Sequence, residues 1–167
     1  MKTHAYRIVG LPVEPFRALF ALDDVQLASR GIERRVADSP FAFPCRVTLE
    51  DALPGEELLL LSHAHQPAAT PYSAAGPIFV RRLATRTRIA VNEVPDQQRR
   101  RLLSVRAYDP QHYLVDAEVA QGTELESLID RFFDNEQVSY LHVHNARPGC
   151  YACRVERLPA SRSQPYV

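Results

Sequence analysis

The sequence predicts an α+β fold, a single domain with a mixed, mostly antiparallel sheet and a few short helices. Four consecutive leucines, Leu58 to Leu61, indicate a strand that is covered on both faces. Residues 123–134 have the periodicity of one amphipathic helix, and the segments around it alternate as strands do. A chain of 167 residues has the length of one domain, which we assign to residues 1–158. The polar, proline-bearing residues 159–167 are expected to form a flexible tail.

The first half of the chain predicts short strands and helices. An opening strand over residues 5–11 ends before Pro12 and Pro15, and one or two short helices then run to Gly31. Three further strands are expected, at residues 32–38, 56–65 and 76–84. The leucine-rich strand belongs in the centre of the sheet, and Asp96 is a candidate cap for one short helical turn.

The last third of the chain predicts a hairpin, a helix and a second hairpin. Strands at residues 102–109 and 113–119 are joined by a turn-forming Asp-Pro dipeptide. Thr123 and Glu126 are expected to form a capping box at the start of the helix. The apolar stripe of this helix comprises Leu125, Leu128, Ile129, Phe132 and Phe133. A strand at residues 139–145 follows, so strand, helix and strand make a parallel crossover that we expect to be right-handed.

The composition excludes several classes of protein. Twenty basic residues balance twenty acidic ones, so no global field attracts nucleic acid or an anionic membrane. Residues 81–106 carry eight arginines but no aromatic residue to stack on a base, which favours a solvated surface. No apolar run is long enough for a signal peptide or a membrane span, and three cysteines do not make a disulfide framework. We therefore expect a cytoplasmic protein that binds neither nucleic acid nor membrane; the sequence indicates no particular cofactor or oligomeric state.

The stretch "YLHVHNARPGCYACRVER" concentrates the candidate functional residues. With residues 145–149 as a loop, His144 pairs with Cys150 and His142 with Ala152, a register that keeps apolar side chains opposite apolar ones. This register places four polar side chains on one face, those of His142, His144, Cys150 and Arg154. The face must meet solvent, a cleft or a layer from the first half of the chain, because the helix covers the other side.

Parity also assigns the remaining residues of this hairpin and of its neighbour. Cys153 and Tyr151 fall on the apolar face, opposite to Cys150, which excludes a CxxC metal or redox motif unless Cys150 lies within the turn and not on the strand. If the first hairpin belongs to the same sheet, three of its residues extend the polar face, namely Arg106, Asp116 and Glu118.

Cys150 and the histidines have two interpretations that involve chemistry. Cys150 opposite His144 could be a nucleophile beside its base, and the alternative is an inert, partly buried thiol. Two His-x-His pairs, one of His63 with His65 and one of His142 with His144, could aim imidazoles at one metal ion. Buried histidines that bond to backbone and carboxylates are the alternative, and we predict no metal.

Several sequence blocks in order resemble a known family. The blocks "FPCRVTLEDALPGEELLLLSHAHQP", "PYSAAGPIFVRR", "LLSVRAYD" and "YLHVHNARPGCYACRVER" are similar to the signature blocks of the family catalogued as domain of unknown function 1203, found mainly in bacteria. The resemblance spans roughly residues 41–157 and implies no activity. His63 replaces an aromatic residue and Cys153 a small one in that pattern, so the resemblance supports neither a double His-x-His site nor a role for Cys153 beyond packing.

These observations rank three functions. We expect first a pocket for a small polar or anionic ligand, lined by Cys45, Arg46, His65, Gln66, Tyr72, Asn145 and Arg154. The second hypothesis is a thiol- or metal-dependent enzyme with Cys150, His144 and His142 as catalytic candidates; His65, His142 and His144 are its candidate metal ligands. The third is a noncatalytic protein-interaction module in which the same residues lock the hairpin.

Overall fold

Short strands pair into two antiparallel sheets in the computed structural model, which describes residues 4–159. The larger sheet contains β1 (Tyr6–Val9), β5 (Leu102–Tyr108), β6 (Leu114–Gln121), β7 (Tyr140–Asn145) and β8 (Tyr151–Arg157), in the spatial order β1-β8-β7-β5-β6. The smaller sheet contains β2 (Glu33–Val36), β3 (Glu57–Gln66) and β4 (Ala74–Arg81), in the order β2-β3-β4. The helices are α1 (Glu14–Arg17), α2 (Asp24–Ala28), α3 (Asp96–Arg99) and α4 (Leu125–Phe133).

The α+β class is confirmed, and so is the central position of the leucine-rich strand β3. Two sheets replace the one mixed sheet that we expected, and neighbouring strands in both run antiparallel. The unit β6-α4-β7 is present, but β5 lies between its two strands and is antiparallel to each of them. Strands β6 and β7 therefore run in the same direction without sharing hydrogen bonds. Beyond Pro159, the predicted tail lies outside the described residues.

The apolar stripe of α4 packs on one face of the larger sheet, as predicted. Its five residues are buried with strand residues that include Val105, Leu141 and Val143. Burial of a large apolar side chain contributes about 1.5–3 kcal/mol, so this face is a main source of stability. Within residues 4–159, no helix combines the length and the apolarity that a membrane span requires.

The caps of two helices differ from the prediction. The capping box before α4 is formed by Gln121 and Glu124 instead of Thr123 and Glu126, because a 3-10 turn precedes the helix. Gly122 begins this turn in close contact with α3, where a Cβ atom would lie 1.9 Å from the carbonyl oxygen of Gln98. We infer that this close contact between Gly122 and α3 determines where the 3-10 turn begins. The cap of α3 is Pro95 instead of Asp96, which is the first helical residue.

The register of the last hairpin is shifted from the prediction, by two residues along residues 140–143 and by one at His144. His142 lies opposite Arg154 instead of Ala152, and His144 lies opposite Tyr151 instead of Cys150. A shift of two residues keeps each side chain on its face, so parity cannot detect it. A β-bulge next to His144 interrupts the alternation, which puts the Tyr151 ring on the histidine face and not on the apolar face.

The polar residues of the neighbouring hairpin divide between the two faces. Arg106 lies opposite His142 and shares its face, as predicted. Asp116 and Glu118 are paired with Ala107 and Val105, which belong to the face that α4 covers. The prediction that these two carboxylates extend the histidine face is therefore wrong. Glu118 contacts Arg131 of α4 instead, at 3.5 Å.

The two sheets meet over the histidine face. Gln66 at the end of β3 donates to the hydroxyl group of Tyr140 at 2.8 Å, and the His65 ring stacks on the Tyr151 ring with centroids 5.2 Å apart. The loop between β2 and β3 adds a third contact, because Nε of Arg46 donates to the carbonyl oxygen of Tyr151 at 2.8 Å. A layer from the first half of the chain thus covers this face, one of the three alternatives that the sequence left open.

Candidate functional site

Six of the ten sequence-predicted site residues lie in two adjacent regions. The first, which we call the histidine cluster, is a buried group of rings formed by His65, His142, His144, Tyr140 and Tyr151. The second, the arginine cleft, is an open cavity of about 720 Å³ beside it. Its polar lining comprises Arg46, Arg100, Arg101, Gln121, Asn145, Arg147 and Cys150. Of the seven predicted ligand-binding residues, the cleft contains Arg46 and Asn145.

Three histidine rings are in mutual contact at the junction of the sheets. Ring centroids are 5.0 Å apart for His65 and His144, 6.2 Å for His65 and His142, and 6.4 Å for His142 and His144. His142 and His144 are 2% and 1% exposed. His142 and His144 are two residues apart on β7, so both rings lie on the same face of the strand. The third ring, that of His65, comes from the end of β3.

The buried imidazoles are held in their neutral form. Burial, reinforced by Arg154 on β8, lowers the pKa of His142 to about 3; burial also lowers the pKa of His144 to about 4. Nδ1 of His144 donates to the carbonyl oxygen of Gly149 at 3.0 Å, which leaves Nε2 as an acceptor. In the part of the chain that is described, this Nε2 and Nδ1 of His65 and His142 have no hydrogen-bond partner.

This arrangement does not support the metal hypothesis. No group of three or more His, Cys, Asp or Glu residues within residues 4–159 has the geometry to hold a metal ion. The other member of the first His-x-His pair, His63, lies apart from the cluster with its ring against Phe16 at 6.2 Å. The charges near His142 are also those of arginines, Arg154 and Arg106, which disfavour a cation.

Gln66, Arg154 and Tyr72 were predicted to bind a ligand but do not line the cleft. The first two contact Tyr140, and Tyr72 contacts another tyrosine. Gln66 donates to the Tyr140 hydroxyl group, and the Arg154 guanidinium lies 3.8 Å from the centroid of the Tyr140 ring. Tyr72 is 38% exposed, and its ring contacts that of Tyr113 at 5.8 Å. The contact of Gln66 with Tyr140 connects the two sheets, and the contact of Arg154 with Tyr140 lies within the larger one. Cys45 is fully buried, and its Sγ accepts from the backbone N–H of Arg81 at 3.4 Å.

Arg46 is the central residue of the arginine cleft. Its backbone N–H donates to Phe79 of β4 at 3.0 Å, which fixes the loop beside the small sheet. Its side chain is 2% exposed and donates to the carbonyl oxygens of Tyr151 and Pro44 and to Sγ of Cys150, the last at 3.2 Å. Burial lowers the pKa of Arg46. No carboxylate of residues 4–159 lies within ion-pair distance of this buried cation.

Cys150 has an arginine beside it and not the predicted histidine. Its Sγ contacts Nη2 of Arg46 at 3.2 Å and Nδ2 of Asn145 at 3.9 Å. Asn145 is 6% exposed, and its Oδ1 is buried without a partner among the described residues. The hairpin loop positions both side chains, since the Asn145 N–H donates to the carbonyl oxygen of Cys150 at 2.9 Å.

The other arginines of the cleft were missed by sequence reasoning. Arg101 pairs with Asp51 at 2.7 Å, and Arg100 lies 3.8 Å from the same carboxylate. Arg147 is exposed in the hairpin loop and forms no ion pair with the described part of the chain. The run that includes Arg100 and Arg101 was interpreted as solvated surface, and only its proximity to the hairpin loop reveals a shared cavity.

Comparison with known proteins agrees with the resemblance seen in the sequence. The family model described as "Protein of unknown function (DUF1203)" matches residues 42–157, which is more than half of the chain. The chain belongs to the DUF1203 family. Neither the curated proteins nor the solved structures include a match to it. The region that matches DUF1203 contains both the histidine cluster and the seven polar residues of the arginine cleft.

Proposed function

We propose that the protein binds a small organic anion in the arginine cleft. The observation that carries this proposal is the buried guanidinium of Arg46, which has no carboxylate partner. Burying an unpaired charge costs several kcal/mol unless an opposite charge and hydrogen bonds compensate it. A ligand carboxylate or phosphate at this position would supply that negative charge.

The hydrogen-bonding capacity of the cleft suits such a group. A guanidinium has five N–H donors, and the three contacts of Arg46 to protein atoms leave two of them free for a ligand. Carboxylates and phosphates accept from arginine in bidentate geometry, which is the strongest form of this contact. Arg147 adds a positive charge without a carboxylate partner in residues 4–159, at the mouth of the same cavity.

The rest of the cleft suits an apolar body. Its walls include Phe41, Leu60 and Phe79, and the Phe41 ring is held by the Arg100 guanidinium at 4.4 Å from the ring centroid. A cavity of about 720 Å³ falls within the range that is usual for small-molecule sites. We therefore infer a ligand with one anionic head and an apolar or aromatic remainder.

Calorimetric titration with three probes of similar shape tests the proposal. Benzoate and phenyl phosphate are the anionic probes, and benzamide is the neutral one. We expect both anions to bind more tightly than benzamide, and their affinity to fall as NaCl is raised from 0.05 to 0.5 M. Equal affinities for benzoate and benzamide, or no binding of any probe, would contradict an anion site.

Variants locate the binding in the cleft. Arg147→Gln removes an exposed charge and leaves the buried contacts in place, so we expect benzoate affinity to fall about 3- to 10-fold. Arg131→Gln is the matched control, because Arg131 is an exposed arginine on α4 that contacts Glu118. A loss that is equal in the two variants would place the anion elsewhere.

A further inference from the structure

We propose that Cys150, whose sulfur contacts the Arg46 guanidinium, is the site at which hydroperoxides oxidise this protein. The oxidation needs no bound organic anion, but both proposals use the free N–H groups of Arg46. It assigns to Cys150 a chemistry that differs from the Cys-His pairing expected from the sequence.

The side-chain contacts of Cys150 suit a sulfur that attacks a hydroperoxide. Both side-chain contacts of its Sγ within the described residues are to N–H groups, Nη2 of Arg46 at 3.2 Å and Nδ2 of Asn145 at 3.9 Å. Both groups can donate to the sulfur when it reacts as a thiolate, which is the nucleophilic form of a cysteine.

A hydroperoxide has a place to bind at this sulfur. Cys150 is half-buried and lines the arginine cleft, so a small oxidant reaches it from solvent. Oδ1 of Asn145, buried without a partner in residues 4–159, can accept the O–H of the hydroperoxide. A free N–H of Arg46 can donate to the second oxygen. These two contacts would hold the O–O bond beside the sulfur.

The reaction is a two-electron transfer with the following balance. An electron pair of the thiolate forms an S–O bond with the hydroxyl oxygen, and the O–O bond breaks. The electron pair of that bond leaves on the second oxygen, as hydroxide or alkoxide, which takes up a proton from water. The sulfur is oxidised to a sulfenic acid, and the hydroperoxide is reduced to water or an alcohol. The Arg46 guanidinium stabilises the negative charge of the leaving oxygen.

The two other cysteines serve as internal controls. Cys45 and Cys153 are both 0% exposed. Burial raises the pKa of Cys153 to about 12, and this residue packs in the core under α4. We therefore expect oxidation at one of the three cysteines only.

The first experiment uses the full chain, equimolar hydrogen peroxide and dimedone, which traps sulfenic acids. Intact-mass analysis should show one adduct, and peptide mapping should place it on Cys150. Cys150→Ser should show none. Labelling of Cys45 or Cys153 to the same extent as Cys150 would overturn the proposal, and so would the absence of any adduct.

The second experiment compares the reactivity of the three cysteines without a substitution at Arg46. The rate of alkylation of Cys150 by iodoacetamide at pH 7.5 is compared with the rates of Cys45 and Cys153 in the folded chain. Cys150 should react at least about tenfold faster than either, because both of the other thiols are fully buried. Equal rates at the three cysteines would overturn the proposal.

A third measurement separates this proposal from anion binding. Arg147→Gln should leave the peroxide reaction unchanged within about twofold, because Arg147 does not contact Cys150. Cys150→Ser should abolish the peroxide reaction. Loss of the peroxide reaction in Arg147→Gln would overturn this proposal, because the oxidation would then be a property of the anion site, whereas loss of benzoate binding alone bears only on the anion site.

Discussion

Acidification from pH 7.5 to pH 5 should destabilise this protein by about 4 kcal/mol through two residues, His142 and His144. Both rings are buried at the junction of the sheets and are neutral there. The groups that face them are cationic or can become so: Arg154 on β8, Arg106 on β5 and His65 on β3. A proton added to either ring would be both desolvated and repelled.

The magnitude follows from proton linkage. The pKa of His142 is lowered to about 3 and that of His144 to about 4 in the folded chain, against about 6.5 in an unfolded one. Below pH 6.5 the unfolded chain therefore binds more protons, and the free energy of unfolding falls as the pH falls toward the folded values. At pH 5 each ring accounts for about 2 kcal/mol, and above about pH 7 the full stability is present.

Urea unfolding followed by circular dichroism at pH 7.5, 6 and 5 measures this effect. The double variant His142→Phe/His144→Phe keeps two rings of similar size and removes both titrating groups. We expect its stability to change by less than about 1 kcal/mol over a range in which the wild type loses about 4. A wild type with no change between pH 7.5 and 5, or a double variant that keeps the full slope, would refute the reasoning.

Two further substitutions test packing at the junctions. Gly122→Ala should destabilise the protein by about 2–4 kcal/mol in urea unfolding, because its Cβ would lie 1.9 Å from a backbone oxygen. Gly76→Ala is the control, because a Cβ at Gly76 would have no atom within 4 Å. Equal losses of stability in the two variants would contradict the clash. Tyr140→Phe should lower the melting temperature by an amount equivalent to about 1–3 kcal/mol, since buried Gln66 loses its acceptor. Tyr113→Phe, at a half-exposed ring, should cost less than about 0.5 kcal/mol; a similar loss in both would contradict a special role for Tyr140.

The helix α4 and the assignment of most residues of the last hairpin to one face were predictable from local patterns. An apolar stripe at helical spacing buries itself wherever a sheet is available, so Leu128 and Phe132 were predicted to be core residues without knowledge of their partners. Alternation likewise separated His142 and Arg154 from Val143 and Cys153. These patterns depend on backbone geometry alone.

The register and the caps were not predictable in this way. A shift of two residues leaves every face unchanged, and the bulge beside His144 depends on how the loop from Asn145 to Cys150 closes on itself. The turn before α4 is set by the contact of Gly122 with α3, a segment about 24 residues earlier in the chain. Contacts between distant segments decided both features.

The candidate site likewise has features that local sequence patterns predict and features that depend on contacts between distant segments. The sequence by itself determined that the two strand histidines share a face, and its resemblance to the family placed Arg46, Asn145 and Cys150 within the family's motifs. Only the tertiary structure decided that the smaller sheet seals those histidines in, and that Arg46 comes to Cys150 across more than a hundred residues. The physical reason is that periodicity encodes the direction of a side chain within its own element. The neighbour that the side chain meets, and the charge it must share, depend on how the two sheets pack.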